Sequence, residues 1–246
     1  MDLDDFPTFG FISKASADDN PRFEQAMNGP NSEGFWEASV REISTLQTLK
    51  TWTQVKRLPS MNVISSTWAY KIKRFPDGLI RKLKARFCVR GDQQIEGVDF
   101  FDTFAPVVQW STVRILLILS ITLNLATKQV DYISAFCQAP IEDDVYIDLP
   151  CGWQTINELG IKENFKAGHV LKLNRGLYGL RQSPRNFFLY LKENLESVGF
   201  EQSKHDPCLF ISDTVICVVY VDDCLFFARN EEQDPNDSRP RNGFGS

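Results

Sequence analysis

Histidine is nearly missing from this chain, with only His169 and His205 in 246 residues. Its six cysteines, Cys88, Cys137, Cys151, Cys208, Cys217 and Cys224, include no Cys-x-x-Cys pair. That scarcity argues against a structural zinc site, and unpaired thiols fit a reducing compartment. Long apolar runs are missing too. The longest, Ile115 to Ala126, is interrupted by Ser120, Thr122 and Asn124, and it falls short of the ~20 residues that a membrane span needs. The N-terminus, Met1-Asp2-Leu3-Asp4-Asp5, lacks the basic and apolar regions of a signal peptide. The expectation is an intracellular protein with no membrane partner, the choice between cytoplasm and nucleus left open. No internal repeat is visible.

The net charge of −5 conceals an uneven distribution. Residues 1–42 hold nine acids and three bases, and residues 230–246 hold four acids and two bases. Between Lys56 and Asp92 lie ten bases, with Asp77 and Asp92 as the two acids. A basic segment in a neutral body is what a phosphate-binding surface needs. A solvated face with its counter-charges elsewhere is the other reading of the same residues.

The patterning is mixed, and the length suits one large domain or two subdomains. Trp36, Val40, Ile43 and Leu46 recur at helical spacing within 21–49. Strands are expected at 52–55 and 66–74. Phe75-Pro76-Asp77-Gly78 reads as a turn that makes a Lys- and Arg-rich hairpin. A helix is predicted from Ser111, as its N-cap, to about Ala126, then a short strand, 129–132. Further strands are expected at 145–149 and 170–173, with a loop between them and a glycine-containing turn at 176–184. A helix over 186–198 follows, ended by Gly199. The last two strands, 215–221 and 224–228, have only Asp222-Asp223 between them. Residues 1–21 and 230–246 read as disordered.

The chemistry gathers on three aspartates. Asp is a common turn residue, but a tight hairpin turn is ordinarily relieved by Gly or Asn, because type I′ needs positive φ at both positions. Asp222-Asp223 costs charge repulsion and gains no glycine, which tilts the reading towards cation binding. Asp131 closes a short strand 91 residues earlier. One strand-end aspartate and an Asp-Asp hairpin suit a two-metal site for nucleotidyl transfer. Mg²⁺ is a hard cation that binds through one or two carboxylates plus substrate phosphates. Two ions ~3.5–4 Å apart stabilise both the attacking and the leaving oxygen.

An ordered series of motifs runs from Trp36 to Tyr220-Val221-Asp222-Asp223. It includes Lys71-Ile72-Lys73-Arg74, Pro76-Asp77-Gly78, Lys84-Ala85-Arg86, Phe104-Ala105-Pro106-Val107 and Gln129-Val130-Asp131. It continues through Gly176-Leu177-Tyr178-Gly179-Leu180-Arg181-Gln182-Ser183-Pro184-Arg185 and Asp206-Pro207-Cys208-Leu209-Phe210. The series resembles the reverse transcriptase region of copia-type LTR-retrotransposon polyproteins, over roughly 21–229. The resemblance implies an α+β right-hand polymerase of fingers and palm. It places fingers at about 50–105 and 139–181, and palm at about 106–138 and 182–229. It implies that Asp131, Asp222 and Asp223 hold Mg²⁺, or Mn²⁺. Arg74, Arg81, Phe136 and Gly179 would bind the nucleotide, with Phe136 under the sugar; core packing is the other reading of Phe136. Lys73, Gln182, Ser183, Pro184 and Tyr220 would meet template or primer. The implied partners are an RNA template, a DNA primer and dNTP.

Two departures, Cys137-Gln138-Ala139 and Ser183-Pro184-Arg185-Asn186-Phe187, leave the carboxylates untouched. The family continues beyond Arg229 with more palm, a thumb and a ribonuclease H domain. This sequence is therefore expected to be a truncated core, inactive as it stands. The alternative is a non-catalytic nucleic-acid-binding remnant of a decayed element.

Overall fold

The computed structural model describes residues 19–162 and 165–229. The acidic start to residue 18 and the tail from 230, both expected to be disordered, lie outside the described residues. The chain is α+β and divides into two compact units. Unit 1 combines residues up to Thr103 with Phe136–Ser183, and unit 2 combines Phe104–Ala135 with the residues from Pro184 onwards. Among the described residues, no helix is long and apolar enough to cross a membrane.

Unit 1 opens with two helices where one helical stretch was expected. α1 (Phe23–Asn28) and α2 (Ser32–Thr48) are split at Gly29-Pro30, because proline cannot continue a helix interior. α2 buries Phe35, Ala38, Ile43 and Leu46. Against it lies the hairpin of β3 (Ser66–Arg74) and β4 (Ile80–Val89). Its inward residues are Trp68, Tyr70 and Ile72 on β3, with Ala85, Phe87 and Val89 on β4. Gly34 of α2 leaves room for the Leu83 side chain, which a Cβ would strike. Tyr70 lies edge-on to Phe35 at 5.1 Å, and its hydroxyl shares a 3.1 Å hydrogen bond with Ser39. A second sheet runs β1-β7-β6-β2, from β1 (Trp52–Lys56), β2 (Val63–Ile64), β6 (Tyr146–Ile147) and β7 (His169–Leu173). The expected loop after Gly152 holds α4 (Trp153–Ile156) and a π-helical turn, Asn157–Ile161.

Unit 2 is an antiparallel sheet in the order β5-β11-β10-β9-β8. Its strands are β5 (Ala126–Asp131), β8 (Glu201–Gln202), β9 (Leu209–Ile211), β10 (Val215–Tyr220) and β11 (Asp223–Ala228). α3 (Trp110–Thr122) and α5 (Ser183–Ser197) belong with it. α3 sends Val113 and Leu116 to a core shared with Cys208, Val218 and Phe227. Its Trp110, Ile118 and Ile121 stay exposed. α5 starts at Ser183, three residues before the expected start, with Pro184 in its first turn. Proline is well placed there because the N–H it lacks would have had no helical partner.

Ser111 is not the cap of α3; Gln109 stands at that position without a side-chain cap. The buried Asp206 supplies the missing acceptor from a distant segment. Its carboxyl takes the Gln109 N–H at 3.0 Å, the Thr112 hydroxyl at 2.6 Å and the Cys208 N–H at 2.9 Å. Asp206→Ala should lower the unfolding free energy by about 3 kcal/mol, since it strips hydrogen bonds to a buried carboxyl. Asp206→Asn should cost clearly less. Denaturant unfolding of both variants checks this, and an Ala cost under about 0.5 kcal/mol would show that α3 is held by packing alone.

Candidate active site

Unit 2 carries the three aspartates. In the β10–β11 hairpin Tyr220 pairs with Asp223, which leaves Val221 and Asp222 as the two-residue loop. Asp223, expected in the loop, is instead the first residue of β11. The reason is tertiary: β5 pairs with β11 along its whole length, ending on Asp131 opposite Asp223. The Tyr132 N–H then donates to the Asp222 carbonyl oxygen at 3.1 Å. Moving the loop one residue forward puts Val221 at φ 56°. A β-branched residue is strained there, and glycine ordinarily takes that place in a hairpin loop.

Directly opposed residues of an antiparallel pair project from the same face with Cβ atoms ~4.5–5.5 Å apart. Asp131 and Asp223 are thus neighbours across one rung. Gln129 Nε2 donates to Asp223 Oδ1 at 3.1 Å. Among the described residues no Lys or Arg forms an ion pair with Asp131, Asp222 or Asp223. Like charges directly opposite destabilise a ladder, so the pair favours a cation. Among the described residues, no group of three or more His, Cys, Asp or Glu is arranged to hold a metal ion. The geometry therefore pairs two of the three aspartates and leaves Asp222 in the adjoining loop. Two carboxylates suffice for Mg²⁺ when substrate phosphates and water complete the shell. Tyr220 is exposed beside them.

In unit 1 the β3–β4 hairpin sets its cations in two facing rows. Lys71 pairs with Lys84, Lys73 with Lys82, and Ala69 with Arg86. Strand alternation puts all five cations on the outward face, and none of its residues is acidic. Burial and the neighbouring Arg86, Lys73 and Lys82 cations push the Lys84 ammonium below its ordinary range. A face of mutually repelling cations is made tolerable by a polyanion. Arg74 and Arg81 differ from these. Arg74 is committed to the protein, with its Nε 2.8 Å from Asp19 Oδ1 and its Nη1 2.9 Å from the Gly78 carbonyl oxygen. Register slips after Lys73, so that Arg74 faces Ile80 and Arg81 falls in the irregularity. The Arg81 guanidinium lies 6.0 Å from the centre of the Phe75 ring.

The turn after β7 packs on the end of β4. Gly179 has φ 92°, and a Cβ there would fall on the Val89 carbonyl oxygen. Gln182 and Ser183, expected at the template or primer, are buried instead. Gln182 Nε2 donates to the Asp99 carbonyl oxygen at 2.8 Å and to Asp143 Oδ2 at 3.0 Å, and its Oε1 accepts from Gln94 at 2.9 Å. Ser183 Oγ accepts the Leu177 N–H at 3.0 Å and donates to the Leu177 carbonyl oxygen at 2.8 Å. Both side chains are spent on holding the turn. Phe136 is half-buried, 5.0 Å from the Tyr178 ring centre.

Residues 49–236 match the model of the family described as reverse transcriptase (RNA-dependent DNA polymerase). The chain belongs to the reverse transcriptase family. It is 26% identical over 231 residues to a retrovirus-related Pol polyprotein from transposon TNT 1-94 of Nicotiana tabacum, covering 92% of this chain and 17% of that one. It is 30% identical over 224 residues to the Pol polyprotein from transposon RE1 of Arabidopsis thaliana, 89% of this chain and 15% of the relative. A Ty1-DR4 Gag-Pol polyprotein of Saccharomyces cerevisiae is 31% identical over 209 residues, 80% and 12% of the two chains. The chain thus spans under a fifth of the length of these relatives. It is the reverse transcriptase domain of a copia-type element.

Sequence reading of this reverse transcriptase missed the contact of Gln129 with Asp223 and the packing of Arg86 on Tyr178. Gln129 is signalled only by standing two positions before Asp131, which puts it on the same strand face. Arg86 continues the alternation Lys82, Lys84. If the hairpin face binds a polyanion, Lys82→Glu should act in opposite directions on two readouts. It should raise stability by about 0.5 kcal/mol at low salt by pairing with Lys73. It should also weaken binding of single-stranded RNA and flatten the salt dependence by about one to two phosphate contacts. Unchanged RNA affinity and slope would return these cations to the role of a solvated face.

Proposed function

We propose that the chain is the polymerase core of a reverse transcriptase, unit 1 serving as fingers and unit 2 as palm. It joins dNTP to the 3′-hydroxyl of a DNA primer on an RNA template. The observation that carries this reading is the opposed Asp131–Asp223 pair at the end of β5 and β11. When bound there, Mg²⁺ (or Mn²⁺) would lower the charge on the phosphates and favour ionisation of the primer hydroxyl. Asp131, Asp222 and Asp223 would hold the ions, with substrate phosphates completing the shell. The primer 3′ oxygen bonds to the α-phosphorus as the bond to the β-phosphate bridge breaks. Pyrophosphate leaves, and the hydroxyl proton passes to solvent. Such transfer depends mostly on positioning and electrostatics.

Further residues would supply positioning. Lys71, Lys73, Lys82 and Lys84 neutralise template phosphates. Arg81 meets the triphosphate, and Arg74 joins it by leaving Asp19. Phe136 packs under the sugar and rejects a 2′-hydroxyl by contact. Gly179 lets the backbone approach the new base pair, with Pro184 next to the template strand and Tyr220 beside the primer end. Gln182 and Ser183 act by shaping the turn.

The test uses the full polyprotein-derived enzyme. Asp131→Asn and Asp223→Asn should each cut primer extension by about a thousandfold, the scale of several kcal/mol of lost charge stabilisation. Primer–template affinity should stay within about twofold, since neither side chain contacts phosphate without a metal between them. Extension that survives both substitutions would overturn the assignment. Binding without any aspartate-dependent synthesis in the wild type would favour a non-catalytic nucleic-acid-binding role.

A further inference from the structure

Phe136 does not stand alone in unit 1. Its ring centre lies 5.0 Å from that of Tyr178, with the planes inclined at 59°. On Tyr178 in turn sits the guanidinium of Arg86, 4.5 Å from the ring centre. The three side chains form a continuous row, cation on aromatic and aromatic tilted against aromatic, and all three are half-buried. Each contact is of a kind that carries energy beyond area burial.

The backbones beneath the row are clamped. The Val89 N–H donates to the Tyr178 carbonyl oxygen at 2.8 Å, and Cys88 forms a bridge with Tyr178. Tyr178 is therefore sewn to β4, the strand that carries Arg86. A Cβ on Gly91 would fall on the Gly179 carbonyl oxygen, and one on Gly179 would fall on that of Val89. At the other end Gly176 lies against the Phe136 carbonyl oxygen, which also accepts the Ala139 N–H at 3.3 Å. One turn thus touches both Phe136 and β4. Arg86 faces the small Ala69 across the ladder.

We infer that Tyr178 and Arg86 are positioning residues that brace the Phe136 ring, so that sugar selection is set through the basic hairpin. This rests on the proposed role of Phe136. A ring that rejects a hydroxyl by contact must not yield, and a half-buried ring is held by the groups packed on it. Tyr178 is such a group, and Arg86 keeps Tyr178 from swinging away. Because Arg86 shares its strand face with Lys82 and Lys84, a shift of the hairpin would pass to Phe136 through two contacts.

The experiment measures the ratio of dNTP to rNTP incorporation efficiency in the polyprotein-derived enzyme. Phe136→Val tests the sugar role itself and should lower the ratio. Tyr178→Leu should lower it about fivefold, or ~1 kcal/mol at ~1.4 kcal/mol per tenfold. Most of that change should lie in a better KM for rNTP, with kcat for dNTP nearly unchanged. Tyr178→Phe, which keeps the ring, should restore the ratio. In a Phe136→Val background, Tyr178→Leu should add nothing. Arg86→Gln, a milder change, is the second probe should Tyr178→Leu not fold, and Arg86→Lys should recover part of its loss. If Phe136→Val lowers the ratio while Tyr178→Leu and Arg86→Gln leave it unchanged, the brace is overturned and the sugar role stands. Additive losses in the double variant would also overturn it. If Phe136→Val leaves the ratio intact, the sugar role itself fails.

Discussion

Two carboxylates on one rung of an antiparallel ladder repel each other, and the edge of unit 2 is arranged around accepting that repulsion. Asp131 and Asp223 are brought together by the full-length pairing of β5 with β11. The Tyr132 N–H extends that pairing onto the Asp222 carbonyl oxygen. Drawing Asp223 into the ladder forces the hairpin to turn one residue early, with Val221 in a left-handed conformation that its branched side chain resists. The repulsion and the strained turn are both costs, each of about 1–3 kcal/mol at most. They are offset by the rest of the sheet, whose buried Cys217, Val218, Val219, Cys224 and Phe227 hold the strands in register. A cation between the carboxylates would convert the first cost into binding energy.

The basic hairpin of unit 1 follows the same logic with the opposite sign. Its inner face is an aromatic and aliphatic layer pressed on α2, and its outer face sets lysine against lysine. Burial raises the carboxyl pKa of Glu42, which accepts the Phe87 N–H at 3.3 Å. Its charge also acts on Arg86 and Lys84 of the outer face. Packing energy on one side thus maintains an electrostatic surface on the other. Such a face is suited to a polyanionic neighbour.

Much of this was legible in the sequence where short-range chemistry decides. The hairpin turn at 75–78 could be read because Gly78 takes φ 88°, a conformation that glycine adopts freely. β3 announced itself by alternation. Elements whose partners are distant were not legible. β2, β8 and β9 are two or three residues long and exist only through pairing. The start of α3 was misread at Ser111 because its acceptor, Asp206, comes from another part of the chain. At the site the aspartates were legible by type and order, but their register was not, since β5 alone decides which of them enters the ladder. Gln182 and Ser183 pointed inward because their partners, Asp99, Asp143 and Leu177, could not be seen from the local motif.

The most direct measurement is anomalous diffraction at the manganese edge. Crystals would hold the chain with a chain-terminated DNA primer on RNA, the matching dNTP and Mn²⁺. The account predicts an anomalous peak about 2 Å from oxygens of both Asp131 and Asp223, with phosphate oxygens completing its shell. A manganese peak elsewhere on the chain, with Asp131 and Asp223 touching no ion, would contradict it.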